Sequence, residues 1–165
     1  MSVKKKIVSI VVLIVIAIQF IQPVHNKSEQ ASTEDFMKVF SVPENIQAVL
    51  GSACYDCHSN NTVYPWYSNI QPGAWFMSRH ITEGKKLLNF SEFGMLSKRR
   101  QASKLKEISN QIKDNQMPPW SYEMMHKKAR LTTEQKKIVI DWINKAVDSI
   151  SNQQAVSLKQ ANQIR

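Results

Sequence analysis

Two cysteines three residues apart, followed at once by a histidine, constrain this chain more than any other feature of its sequence. They are Cys54, Cys57 and His58, and the 165 residues contain no other cysteine. Cys-x-x-Cys-His is the attachment sequence for c-type haem. Two thiols at this spacing on the end of a helix reach one porphyrin edge, and the next imidazole can face the iron. We therefore predict one covalently bound haem c, with iron ligated by His58.

Other uses of the two cysteines fit the sequence less well. A catalytic Cys-x-x-Cys pair is expected beside a βαβ pattern, which is not visible. A zinc site would need two further ligands, and the other three histidines are not paired in spacing. A disulfide between Cys54 and Cys57 would close a very short loop and stabilise little. Two cysteines also exclude a four-cysteine zinc site and a cysteine-held iron–sulfur cluster made by this chain alone.

The second axial position of the haem iron needs another ligand, and Met117 is the candidate. It precedes Pro118 and Pro119, which hold the backbone in a stiff, extended loop. A thioether on such a loop is presented at one fixed distance, and methionine opposite histidine raises the reduction potential. His80 and His126 are the alternative ligands, which would give a bis-histidine haem of lower potential. The choice among the three stays open at this point.

The N-terminus resembles an export segment. Lys4, Lys5 and Lys6 precede an apolar run from residue 7 to residue 21, and Pro23 follows it. No clear small-x-small cleavage site follows the run. We therefore predict an uncleaved anchor that leaves the remainder of the chain on the periplasmic side of the cytoplasmic membrane. The alternative is a cleaved signal peptide and a soluble periplasmic protein, which the shortness of the run favours.

Apolar residues elsewhere recur at helical spacing, and no strand alternation is visible, so the predicted fold class is all-α. Met117 and the two prolines end one helix, and Thr132 with Gln135 resembles a capping box that begins the last one. The predicted domains are a signal or anchor segment at 1–23, a linker at 24–33, a haem domain at 34–150 and a polar, flexible tail at 151–165. Predicted helices cover 33–40, 44–53, 73–89, 98–115 and 132–150.

The stretch from Cys54 to about Ala146 resembles the bacterial haem-binding domain family, a group of exported proteins with one CxxCH within the c-type cytochromes. The residues that carry the resemblance are 54–60, Thr62, 64–68, Ile70, Pro72, Trp75, His80, Ile81, Gly84, 88–91, 117–119, Tyr122, His126, Ala129, Leu131 and Trp142. The resemblance implies covalent haem at Cys54 and Cys57, a proximal His58, a cytochrome-c-like helical fold and an export segment. It implies no settled reaction.

Eight aromatic residues lie between or beside these motif elements, and we expect some of their rings to pack on the haem face. They are Tyr64, Trp66, Tyr67, Trp75, Phe76, Phe90, Trp120 and Trp142. Trp120, which follows the methionine loop, is expected to close the Met117 side. For Trp142 on the last helix, an ordinary core position is an equal expectation.

No further catalytic constellation is visible, so we predict an electron carrier rather than an enzyme with its own substrate. The alternative is a peroxidase-like haem enzyme or a haem-based sensor with an open or displaceable sixth position; a module in which haem only stabilises the fold is a third possibility. The net charge is +9, and without Lys4, Lys5 and Lys6 there are 19 basic residues against 13 acidic, a net +6. This charge suits docking on an acidic redox partner or an anionic membrane surface. An exported protein is not expected to bind nucleic acid.

Overall fold

The computed structural model describes residues 2–28, 30 and 32–163, and these residues form helices and loops without a strand. The all-α prediction is therefore confirmed for the described part of the chain. Its α-helices are α1 (Val3–Ile18), α2 (Phe36–Val39), α3 (Glu44–Ala53), α4 (Tyr55–His58), α5 (Gly73–Leu87), α6 (Lys98–Lys113), α7 (Trp120–Met125) and α8 (Thr133–Gln163). Short 3-10 helices occupy Trp66–Asn69, Phe90–Met95 and Lys127–Ala129.

The core lies where α6 packs along α8 and both face α3. Leu105 on α6 and Val139 on α8 are fully buried, and Ile143 is 2% exposed. Aromatic rings extend this core toward the short α2: the Phe36 ring centroid lies 4.9 Å from that of Phe93 in an edge-on contact. Burial of such side chains is the main term that stabilises a helical domain of this size.

The last helix begins as predicted and ends later than predicted. Thr132 N donates to Gln135 Oε1 at 2.9 Å, and Gln135 N donates to Thr132 Oγ1 at 3.1 Å, which is the reciprocal pair of a capping box. The polar residues from 151 onward were expected to form a flexible tail, yet α8 continues through Gln163. This stretch contains neither glycine nor proline, so nothing in its backbone interrupts the hydrogen-bond ladder.

The apolar N-terminal run forms α1, which has 16 residues and buries none of them. At about 1.5 Å per residue α1 is about 24 Å long, and a hydrocarbon core is about 30 Å thick. Among the described residues, no helix has the length and apolarity needed to cross a membrane.

The segment that follows α1 is hydrogen-bonded to the domain. Asn26, inside the predicted linker, donates through Nδ2 to Ser59 O at 2.8 Å and to Thr62 Oγ1 at 2.9 Å. Its backbone N–H donates to Tyr64 Oη at 2.7 Å, and Lys85 Nζ donates to its Oδ1 at 2.6 Å. Asn26 thus ties the N-terminal segment to the loop that follows His58.

Candidate functional site

The Cys-x-x-Cys-His sequence sits at a break between two helices. Helix α3 ends at Ala53, and Cys54 has φ −127° and ψ −43°, outside regular helical geometry. The single turn α4 follows, in which His58 N donates to Cys54 O at 3.0 Å. This turn brings Cys54, Cys57 and His58 together on one short element, as the spacing predicts. Both thiols are free and half-buried.

Burial keeps the two thiols protonated. It raises the pKa of Cys54 to about 12 and the pKa of Cys57 to about 11. A reactive or metal-binding cysteine needs the opposite environment, one that lowers its pKa and favours the thiolate. The two cysteines are therefore poor candidates for a thiol–disulfide catalyst or a thiolate metal site.

The imidazole of His58 is oriented by the backbone of α5. Nδ1 of His58 lies 3.0 Å from the carbonyl oxygen of Gly84 and 3.0 Å from that of Leu88. A carbonyl oxygen only accepts hydrogen bonds, so Nδ1 must carry the proton. The lone pair of the neutral ring is then on Nε2. This is how a metal-ligating histidine is prepared, with one nitrogen held by a backbone carbonyl and the other left to the metal.

Close packing of α5 against α4 makes this hydrogen bonding possible. A Cβ at Gly84 would lie 2.9 Å from the backbone oxygen of Cys57 and 3.4 Å from Cε1 of His58. Only a glycine allows α5 to approach α4 so closely without a shift of the backbone. Gly84 is therefore a positioning residue for His58.

Met117 and His58 line the same cavity, which has a volume of about 140 Å³. Cys54 also lines it, as do Phe90 and Pro118. The loop that carries Met117 begins at the end of α6, where Asn115 adopts a positive φ of 55° and stops the helix. Backbone N–H groups of residues 116 and 117 then donate to the carbonyl oxygen of Gln111 at 2.9 and 3.2 Å.

His80 and His126 lie elsewhere. Both line a second cavity of about 270 Å³, together with Cys57, while Met117 does not. Nδ1 of His80 is hydrogen-bonded to Phe76 O at 2.9 Å. His126 Nε2 lies 2.6 Å from the hydroxyl of Tyr67. Of the three candidates for the sixth ligand, Met117 is thus the one that shares a cavity with His58.

The two cavities border the same two chain segments. Cys54 lines the first and Cys57 the second, and likewise Pro118 lines the first and Pro119 the second. Both cavities are lined mainly by carbon atoms, which suits a large apolar ring system.

Asp56, one of the two residues between the cysteines, fixes α4 to two other parts of the fold. Its Oδ2 accepts a hydrogen bond from Tyr122 Oη at 2.7 Å, and its Oδ1 accepts one from Val63 N at 3.1 Å. Tyr122 stacks on His126 with ring centroids 4.2 Å apart. Burial and the Asp56 carboxylate raise the pKa of Tyr122. The sequence marked Tyr122 only through the family resemblance, and His126 also as an alternative ligand, but it gave no sign of these contacts.

The aromatic residues divide between the cavities, the core and the surface. Phe90 lines the first cavity, and Tyr67 and Phe76 line the second. Trp142 packs edge-on against Phe36, so it belongs to the core. Trp120 was expected to close the Met117 side; it is 75% exposed and lines neither cavity, because it begins α7 with its side chain toward solvent.

The donor set fits a haem better than a bare metal ion. Among the described residues, no group of three or more His, Cys, Asp or Glu side chains is arranged to hold a metal ion. The turn instead offers two protonated thiols, one imidazole with Nε2 available and a thioether across the cavity. These are the groups that attach and ligate a c-type haem.

Comparison with known proteins gives one family. No curated protein and no solved structure matches the chain. The family model described as "Haem-binding domain" matches residues 13–145, which is most of the chain. The resemblance inferred from the residues around Cys54–His58 and Met117 is thereby confirmed, and the chain belongs to the haem-binding domain family.

Proposed function

We propose that this haem-binding protein is a monohaem c-type cytochrome that transfers single electrons. The observation that carries the proposal is the shared cavity of His58 and Met117, with the Nδ1 proton of His58 held by two backbone carbonyls. These two side chains would hold the iron of a bound haem, which would supply the redox chemistry. When both positions are filled by the protein, electron transfer needs no vacant site for a substrate.

Each residue of the site has one role in this proposal. Cys54 and Cys57 would hold the haem through thioether bonds, and His58 and Met117 would be its axial ligands. The bound haem would supply a one-electron redox couple. Gly84 and Leu88 hold His58 in one orientation. Burial of both thiols keeps them from acting as thiolates before attachment.

A positively charged surface adjoins the site and suits an acidic redox partner. Lys104 on α6 lines the cavity shared by His58 and Met117, and it is ion-paired with Glu107 at 2.7 Å. Lys98, Arg99 and Arg100 are on the first turn of the same helix. Lysine and arginine side chains around a haem edge would steer an acidic protein toward it, so transfer rates should fall as salt rises.

We also propose that the chain is exported, since c-type haem is attached outside the cytoplasm and α1 with its lysines has the pattern of an export segment. Covalent haem in protein recovered from the periplasmic side would support this step. Covalent haem found only after cytoplasmic expression would contradict it.

The decisive test is an optical spectrum of protein made together with a cytochrome c maturation system. A pyridine haemochrome spectrum should show haem that stays with the chain after denaturation, and a Cys57→Ala variant should lose one thioether bond and shift that spectrum. Voltammetry should then give a reversible one-electron couple. Absence of covalent haem in the wild type would overturn the proposal.

The same sample distinguishes the proposed function from the alternative of a haem enzyme or sensor. A six-coordinate low-spin ferric haem with a sulfur-to-iron charge-transfer band is expected for His58 and Met117 ligation. A five-coordinate high-spin ferric haem with rapid peroxide turnover would instead establish the peroxidase-like function. Haem without any reversible couple would assign it a structural role.

A further inference from the structure

The segment from Gln19 to Asn26 joins α1 to the domain through half-buried and exposed hydrogen bonds. Gln19 bridges the two: its Nε2 donates to Val15 O at 2.9 Å within α1, and its Oε1 accepts from the backbone N–H of Gln71 at 3.0 Å. Gln71 is 4% exposed, and its Nε2 donates to Ile21 O at 2.7 Å. A signal peptide that is removed by cleavage would have no need of hydrogen bonds that join it to the folded domain.

The indole of Trp75 adds to this attachment. Its Nε1 donates to the same carbonyl oxygen, that of Ile21, at 3.0 Å. Gln22 Nε2 donates to Asn69 O at 3.0 Å, and Asn26 bonds to the loop after His58 as described above. Residues 19–26 are thus hydrogen-bonded to the domain, and a signal peptidase could not draw them out of the folded protein as an extended substrate without breaking these bonds.

Exposed apolar side chains surround the point where α1 meets the domain. We call them the junction patch: Phe20 (85% exposed), Ile21 (61%), Val24 (92%), Ile70 (48%) and Trp75 (39%). They come from two distant parts of the chain that the hydrogen bonds of Gln71 and Trp75 bring together. A contiguous exposed apolar patch marks an interaction surface, because water does not stabilise exposed apolar side chains.

The side chains around the junction patch indicate what kind of surface covers the patch. On one side the patch continues into α1, whose apolar side chains are exposed on every face. Lys4, Lys5 and Lys6 lie at the far end of α1. Lys86 lies beside the patch in a groove that Pro23 and Trp75 also line, together with Arg79, which is ion-paired with Glu83. A tryptophan with cations beside it at the end of an apolar helix is the pattern of a membrane–water interface.

We propose that α1 stays attached to the mature protein and that a lipid bilayer covers both α1 and the junction patch, which holds the haem domain against the membrane. The apolar length of α1 falls short of a bilayer core, and snorkelling lysines at one end and an interfacial patch at the other relieve such a mismatch. This proposal deepens the export step of the proposed function, and it does not depend on what the haem does.

The test uses the full chain, loaded with haem, in vesicles of phosphatidylethanolamine and phosphatidylglycerol that contain a phospholipid with a diazirine in its tail. After irradiation, peptides that carry residues 20–24 and 70–75 should gain the mass of the lipid, as should α1. The intact mass of the unirradiated protein should include α1. A chain that starts beyond residue 18, or lipid adducts confined to α1, would overturn the proposal.

A matched pair of variants tests the junction patch itself. Val24→Glu places a charge on the patch at a side chain with no packing role, and it should reduce lipid adducts on the Trp75 peptide several-fold. Val156→Glu makes the same change at a 55% exposed valine on α8 and should leave those adducts unchanged. Equal amounts of lipid adducts on the Trp75 peptide in both variants would contradict the proposal that the junction patch contacts lipid. The haem absorbance of the same samples is measured independently of the lipid adducts. If the proposed function fails, the protein should lack covalent haem but still form the lipid adducts.

Discussion

The carbonyl oxygen of Gly84 lies 3.0 Å from Nδ1 of His58, while the Cα of the same glycine faces the backbone of Cys57 too closely for a side chain. One residue of α5 therefore sets both the tautomer and the position of His58, the proposed proximal ligand. The contact joins residues 26 positions apart in the chain.

Replacement of Gly84 with alanine should destabilise the haem-loaded protein. Alanine normally stabilises a helix interior by about 1 kcal/mol relative to glycine. Here the new Cβ would meet the Cys57 carbonyl at 2.9 Å, and overpacking of this kind costs about 1–3 kcal/mol. Thermal unfolding followed by circular dichroism measures the change. Gly51→Ala in α3 is the control, since a Cβ there meets nothing within 4 Å, and it should leave stability equal or higher.

Met117→Ala should remove the sixth ligand. The ferric haem should change from low-spin to high-spin, the sulfur-to-iron band should disappear, and the reduction potential should fall because methionine ligation raises it. Met124→Ala, a change at a 60% exposed methionine on α7, should alter none of these. Absorption spectroscopy and voltammetry on both variants supply the comparison. An unchanged spectrum for Met117→Ala would reassign the ligand, with His80 and His126 as the next variants to make.

The side chains of Tyr122 and Asp56 should stabilise the fold jointly, through the hydrogen bond from Tyr122 Oη to Asp56. Hydrogen bonds to charged groups contribute about 1.5–3 kcal/mol, and the half-buried setting of this one favours the lower value. A double-mutant cycle of Tyr122→Phe and Asp56→Asn, followed by denaturant unfolding of the haem-loaded protein, measures the coupling directly. Additive effects of the two substitutions would show that the contact contributes nothing.

The two thiols should react slowly in the haem-free folded chain. A pKa of about 11 for Cys57, against an ordinary value of 9.0, leaves about 100-fold less thiolate near neutral pH. Alkylation by iodoacetamide should therefore be about 100-fold slower than in the urea-unfolded chain, which serves as the reference. The raised pKa values also determine the direction in which stability changes with pH. The stabilisation from buried neutral thiols is complete below about pH 9 and is lost as pH rises through the folded values. Equal alkylation rates in the two states would contradict this picture.

Asn26→Ala should loosen the N-terminal segment. The substitution removes hydrogen bonds to Ser59, Thr62 and Lys85, and we expect a loss of about 1–2 kcal/mol in the free energy of unfolding. Asn152→Ala on an exposed position of α8 is the control and should change stability by less than about 0.5 kcal/mol. Hydrogen exchange of residues 19–28 should rise in Asn26→Ala alone. Protection that stays unchanged would show that this asparagine does not hold the segment.

Several features followed from the sequence because they are local. The spacing of Cys54, Cys57 and His58 predicted their placement on one turn, and helical periodicity predicted α3 with both of its observed ends. Thr132 and Gln135 predicted the start of α8 through a capping motif four residues long. The family, too, was evident from motifs that are short and fixed in spacing. The roles of Cys54, Cys57, His58 and Met117 toward haem remain predictions from these motifs.

Other features depend on contacts between distant residues, and no periodicity or spacing encodes them. Met117 shares a cavity with His58 only because the end of α6 is placed beside α4. Tyr122 and Asp56 are 66 residues apart, and Asn26 reaches Lys85 across 59 residues. The last helix was predicted to end at about residue 150 because the residues after it are polar, yet α8 continues through Gln163. The sequence by itself determined the helical class, the attachment motif and the family, since these depend on neighbours in the chain. Only the tertiary structure decided which methionine faces His58, which glycine orients it and how α1 is joined to the domain, because packing sets these distances.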